Sequence, residues 1–216
     1  MPDRFPVGLP LDAAWSRRVL CVAEVVDAVT LEPVVADLKV RVAGLQGRPL
    51  VNASGFHVWL KEGDAKPQRI FVDASRTLYA STDAEPPVPP NKSRRIELAP
   101  RYAYPFPSGA TALKGTLRLS RFGTPRPVAG AAIQLQWFGD AGWIDAPTSV
   151  TSEDNGDFAA PLRLAPKTEP RMVPGGLAVR LKVTRSGATR TSDEFALAPG
   201  RVTPGEQPFN WDDLHS

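Results

Sequence analysis

The chain has one cysteine, two histidines and no long apolar run among its 216 residues. Each scarcity excludes something. A single thiol, Cys21, cannot form an intramolecular disulfide, and its place inside the apolar run 19–26 marks it as a small buried hydrophobe. Two-domain secreted β proteins often carry disulfides, so their lack leans toward the cytoplasm. No stretch approaches the roughly 20 apolar residues of a membrane helix, so no membrane insertion is expected. Residues 1–10 hold prolines at 2, 6 and 10 and charges at Asp3 and Arg4, with no apolar segment of the signal-peptide kind after them. The expected location is the cytoplasm, including the interior of a particle assembled there, with an extracellular site as the alternative.

Charge of one sign is also scarce. The 26 basic and 23 acidic residues leave a formal net charge of +3, a mild field. The densest basic group, Lys92, Arg94 and Arg95, is short and precedes a strand-like run, so it reads as a solvated edge. Nucleic-acid binding is not expected.

Helical periodicity is nearly missing too. Only residues 11–18 allow a turn or two, with Asp12 as a cap. Proline (23) and glycine (17) fall between periodic segments, as turn punctuation does in an all-β chain. The period is two nearly everywhere. Val34, Ala36, Leu38, Val40 and Val42 share one face, and Phe56, Val58 and Leu60 open another inward face after the turn 52–55. Ile70 and Val72, Leu78 and Ala80, then Ile96 and Leu98 supply further short strands. Beyond a Pro-aromatic segment at 99–109, four longer strands follow. Their inward faces are Leu113/Gly115/Leu117/Leu119, Ala131/Ile133/Leu135/Trp137, Phe158/Ala160/Leu162/Leu164 and Leu177/Val179/Leu181/Val183, and residues 189–197 read as the last strand.

The halves echo each other. Pro33 and the run to Val42 match Pro127 and the run to Trp137, and the turn before Phe56 matches the turn before Phe158. About eight extra residues separate these features in the second half, which places an insertion at 139–144. This gives an N-terminal arm at 1–14, modules at 15–104 and 105–200, and an extended C-terminal tail at 201–216.

The strings Gly115-Thr-Leu-Arg-Leu119, Pro127-Val-Ala-Gly-Ala-Ala-Ile-Gln-Leu135 and Thr151-Ser-Glu-Asp-Asn-Gly-Asp-Phe158 resemble the carboxypeptidase-regulatory-like (transthyretin-like) module. That pattern is a G-x-V strand, a P-V-x-G-A strand start and a D-x-x-G-x-F turn. The first half is a poorer copy, because Ala53-Ser-Gly-Phe56 lacks the acidic turn residue. The resemblance implies an all-β chain of two tandem Ig-like, prealbumin-like antiparallel β-sandwiches, each of seven or eight strands. Modules of this kind serve as adhesin stalks, enzyme appendages and tail decorations, so the likeness fixes no function. The junction Tyr102-Ala-Tyr-Pro-Phe-Pro-Ser-Gly109 resembles proteins of phage-tail-like, contractile injection particles.

Catalytic motifs do not appear. There is no Gly-x-Ser-x-Gly elbow, His-Glu-x-x-His, Walker loop or Gly-x-Gly-x-x-Gly. His57 alternates with Phe56 and Val58 and is expected on the outer face of its strand. His215 sits in the tail without metal-ligand spacing. The acidic turn 153–157 could offer carboxylates to calcium, but Asn155-Gly156 is also what a tight hairpin requires. No catalytic, cofactor or metal residue is therefore assigned. The partner-binding candidates lie in the tail: Phe209, Trp211 and Leu214 beside Asp212 and Asp213, able to dock in a groove or add a strand to a sheet edge. Trp59 and Trp143 are expected as exposed aromatics, Trp137 as core. The expected function is that of a non-enzymatic structural or adaptor protein contacting other proteins in a larger assembly. The alternative is an extracellular adhesin, pilin or carbohydrate-binding accessory module.

Overall fold

A computed structural model describes residues 18–35, 37–60, 64–89, 91–119, 124–164, 169–205 and 208–216. The arm 1–14, all but the last residue of the short helical segment expected at 11–18, and Ala36 lie outside the described residues. Within them the chain is all-β, with one short 3-10 turn and no α-helix.

Strand β1, Val19–Asp27, sends Cys21, Ala23 and Val25 into a first hydrophobic cluster. β2 (Lys39–Ala43) alternates as expected, with Val40 and Val42 buried and Lys39 and Arg41 exposed. β3 (Leu50–Val51) and β4 (Phe56–Leu60) form a hairpin. β5 (Arg69–Asp73) buries Ile70 and Val72, β6 is Thr82–Ala84, and β7 (Ser93–Leu98) buries Ile96 and Leu98. The strand expected at Leu78 and Ala80 is not there. Tyr79 only bridges Pro100, and the third strand of this sheet forms four residues later.

One face is inverted relative to expectation. On β4 it is His57 and Trp59 that are buried, while Phe56, Val58 and Leu60 are half-buried. Pairing decides this. β4 lies antiparallel to β1 with Cys21 opposite Trp59 and Ala23 opposite His57, and directly opposed residues share a face. Because Cys21 and Ala23 point inward, their partners must follow. The pattern Phe-His-Val-Trp-Leu is apolar enough to fit either phase, and a one-residue change of phase moves every side chain across the sheet.

The second set begins with β8 (Ala112–Leu119) and β9 (Arg126–Pro127). β10 (Ala132–Gly139) carries Ile133, Leu135 and Trp137 inward, all fully buried. β11 (Gly142–Thr151) returns from it across a two-residue turn, so the extra residues near 139–144 lengthen a hairpin. β12 (Asp157–Pro161) buries Phe158 and Ala160. Gly115 on β8 makes room for it, since a Cβ there would lie 2.7 Å from the Phe158 ring. β13 (Met172–Val173) and β14 (Gly176–Arg185) pair, and Leu177, Val179, Leu181 and Val183 face the second cluster. The last strand expected at 189–197 is two strands, β15 (Ala188–Thr191) and β16 (Phe195–Leu197). Both pair with β14, and between them Ser192 Oγ accepts from the Leu181 amide at 2.9 Å. β17 (Val202–Pro204) and β18 (Phe209–Asn210) close the chain, followed by the 3-10 turn Trp211–Asp213.

These strands form four sheets: β3-β4-β1-β7, β2-β5-β6, β11-β10-β14 with its flanking short strands, and β12-β8 with β9, β17 and β18. The first two enclose one cluster and the last two enclose the other. The connectivity repeats. β1 has β4 antiparallel on one side and β7 parallel on the other, and β8 has β12 antiparallel with β17 and β18 parallel. Pro33 bridges Val26 near the end of β1 as Pro127 pairs with Arg118 near the end of β8.

Candidate functional site: a clamped junction and a docked C-terminal segment

The richest polar cluster lies where the first set of strands meets the connection to the second. β1 ends at Asp27, whose side chain is buried at 5% exposure. Burying a carboxylate is costly unless donors replace its water. Here four do. Oδ1 accepts from the backbone amides of Val29 (2.6 Å) and Thr30 (3.3 Å), which fold the following turn back onto it. Oδ2 accepts from the hydroxyl of Tyr79 at 2.9 Å and from the hydroxyl of Tyr104. The Tyr79 and Tyr104 rings lie 5.5 Å apart, and Tyr104 meets Phe106 edge-on at 4.9 Å. Burial, then the bond to Asp27, push the Tyr79 phenol up to about 12 and the Tyr104 phenol further up. Both stay protonated as donors at any ordinary pH. With its lone pairs taken by four donors, Asp27 works as an anchor; it has no free oxygen to act as a base.

Three side chains from the second set of strands hold the same connection. Lys114 on β8 donates to the Tyr104 carbonyl (3.3 Å) and sits over the rings of Tyr102 and Phe106. Glu153 accepts from the Tyr102 amide at 2.9 Å and pairs with Arg101 at 3.5 Å. Arg163 reaches past the connection to the first set, donating to the Ala28 carbonyl (3.0 Å) and to both oxygens of Glu97 (3.2 and 2.9 Å). The aromatics at 99–109 were legible in the sequence. Asp27, Tyr79 and Arg163 were not, and nothing in their local sequence distinguishes them from ordinary turn and strand residues.

The acidic turn is part of this clamp. Gly156 has φ +84°, and a Cβ on it would collide with the Leu117 carbonyl oxygen. Glu153 faces the junction, while Asp157 accepts from the Thr116 hydroxyl (2.6 Å) and the Asn155 amide (2.6 Å). Among the described residues no group of three or more His, Cys, Asp or Glu side chains is placed to hold a metal ion.

The C-terminal residues correct the expectation of an extended tail with free apolar side chains. Val202–Pro204 and Phe209–Asn210 lie parallel to β8 as strands of its sheet. Trp211 (7% exposed) and Leu214 (8%) belong to the second cluster, and Phe209 packs on Phe158 and Phe195. Arg190 caps the segment, donating to the Trp211 carbonyl at 3.0 Å and lying 4.8 Å from its ring. His215 then exchanges backbone bonds of 2.8 Å with Thr191, so the segment ties β8 to the facing sheet. Asp212 is half-buried and Asp213 is exposed, bonded to Asn210 at 3.0 Å. A cleft of about 590 Å³ lies beside the segment, its lining including Leu113, Asp193, Phe195, Phe209, Asp213 and Leu214. These residues pair within the chain's own sheet.

The aromatic and histidine expectations divide. Trp59, expected exposed, is in the first cluster at 3% exposure, for the pairing reason given above. Trp143 is half-buried, edge-on to Phe138 at 5.2 Å, with Arg180 stacked 4.4 Å over its ring. His57, expected outward, is buried at 7% exposure. Its Nδ1 has no partner, and burial lowers its pKa. His215 lies by Asp193 at 2.9 Å, in the other set of strands. No helix among the described residues is long and apolar enough to cross a membrane. Compared with known protein families, curated proteins and solved structures, the chain matches none.

Proposed function

We propose that the chain is a non-enzymatic adaptor: two tandem antiparallel β-sandwiches of the Ig-like, prealbumin-like kind, locked into one stiff body that sets a fixed geometry between proteins of a larger assembly. The observation that carries this reading is the clamp. Lys114, Glu153 and Arg163 all grip the connection or the first set of strands, and Asp27 grips it from the other side. A flexible tether needs no such contacts. Inter-domain motion is the default unless an interface opposes it, so the spacing and angle held here are what the chain supplies. The recurring strand connectivity supports the tandem reading, with β17 and β18 as the interrupted counterpart of β7. A phage-tail-like, contractile particle is the assembly we favour, on the likeness of residues 102–109.

The test is purification of the tagged full chain from its native source under assembly-preserving conditions, followed by mass spectrometry and electron microscopy. Recovery in a stoichiometric, high-mass particle is the expected result. Elution as a lone monomer, or turnover in a broad substrate screen, overturns the reading.

A further inference from the structure

The clamp has one member that an apolar residue could not replace in kind. Filling space between Tyr79, Tyr104 and the turn after β1 would need only a hydrophobic side chain. The chain places a buried carboxylate there, and a carboxylate holds its donors in direction as well as distance. Its Oδ1 is fixed by its own turn, so Oδ2 has a fixed position from which to hold the Tyr104 hydroxyl. Tyr104 in turn takes Lys114 of β8 on its carbonyl. Three residues thus span from the first cluster to the first strand of the second set.

We propose that the Asp27–Tyr104 bond is a latch that sets the angle between the two halves, and that with it broken the connection becomes a hinge about the remaining Arg163 and Glu153 contacts. The other links, Arg163 to Ala28 and Glu97, and Glu153 to Arg101 and Tyr102, run through partly exposed side chains, and they permit rotation once the buried latch is gone. The inference rests on the stiff-body reading above and adds to it the contact that determines the angle.

The experiment is a spin-label distance measurement on the full chain. Labels go on Ser54→Cys and Ala188→Cys, both exposed and in opposite halves, while Cys21 is fully buried and shielded from the reagent. The parent should give one narrow distance distribution. Asp27→Asn and Tyr104→Phe should each broaden it at least twofold, with circular dichroism unchanged. Tyr79→Phe, which removes the other hydroxyl but no link across the junction, should leave it narrow. A narrow distribution in every variant overturns the latch and leaves the stiff body standing. Broadening by Tyr79→Phe as well overturns it in favour of general packing. A broad parent overturns the stiff-body reading itself. Should Asp27→Asn fail to fold, Tyr104→Phe decides alone.

Discussion

Replacing Gly156 with alanine tests whether the turn between β11 and β12 has the geometry described. Gly156 sits at φ +84°, where an L-residue costs about 1–2 kcal/mol. Its Cβ would also run into the Leu117 carbonyl oxygen, a backbone atom that cannot swing aside. Relief requires the turn to shift away from β8. That strains the 2.8 Å bond from the Leu117 amide to the Gly156 carbonyl, worth about 1 kcal/mol net. The sum is about 2–3 kcal/mol. Gly130 is the control: it has φ +71° but open space where its Cβ would go. Gly130→Ala therefore reports the backbone term alone, about 1–2 kcal/mol. Urea unfolding followed by tryptophan fluorescence gives both values. The difference between the two variants, about 1 kcal/mol, isolates the collision. Equal losses within about 0.5 kcal/mol would refute the close approach of this turn to β8. Glu153 lies on the same turn, so Gly156→Ala should also speed protease cleavage within 101–110.

Trp211→Ala should cost about 3–5 kcal/mol by urea unfolding, as for other buried aromatic truncations, whereas a frayed terminus would cost almost nothing. His57 gives a pH dependence with a definite sign. Its pKa is lowered in the folded chain, so the unfolded chain takes the proton first as pH falls below about 6.5. Stability should be full above that pH and decline below it, and His57→Gln should remove that component; a thermal-shift series from pH 8 to 5 measures it. Cys21 is buried, and burial raises its thiol pKa, so a disulfide-exchange reagent should modify it only as fast as the first cluster opens. Fast modification of the native chain at pH 7 would show that β1 and β4 are not paired as described.

Legibility followed strand length and the contrast between faces. On β10 and β14, eight and ten residues long, the inward positions stand out and their faces were readable without knowing a partner. β4 is five residues with aromatic or aliphatic groups in both phases. The single polar residue, His57, pointed the reading outward, and only the register with β1 resolves it. The C-terminal strands defeated periodicity differently. β17 and β18 have three and two residues, too few to show a period, and the Pro/Gly composition around them is that of a linker. At the junction, Tyr102, Tyr104 and Phe106 were visible as aromatics, but the carboxylate that accepts from Tyr104 was not. An aspartate after an apolar run reads as the exposed start of a turn, because most carboxylates are exposed, and a buried one becomes recognisable only when its donors are in place.

The contacts of the junction do not count equally, and salt distinguishes them. Arg163–Glu97 is about 30% exposed on each side, and Arg101–Glu153 has an arginine nearly half exposed. Pairs so placed are screened and contribute at most about 1 kcal/mol each. Asp27 is buried, and two of its four donors are uncharged phenols, so added salt has little purchase on it. Raising sodium chloride from 0.05 to 1 M should therefore weaken the outer ion pairs and leave the inter-half distance distribution as narrow as before. Were the distribution to broaden with salt, the outer pairs would be setting the angle and the buried carboxylate would be a local feature of the turn after β1. The resistance of the junction to salt thus separates a geometry fixed from within the protein from one held by its surface charges.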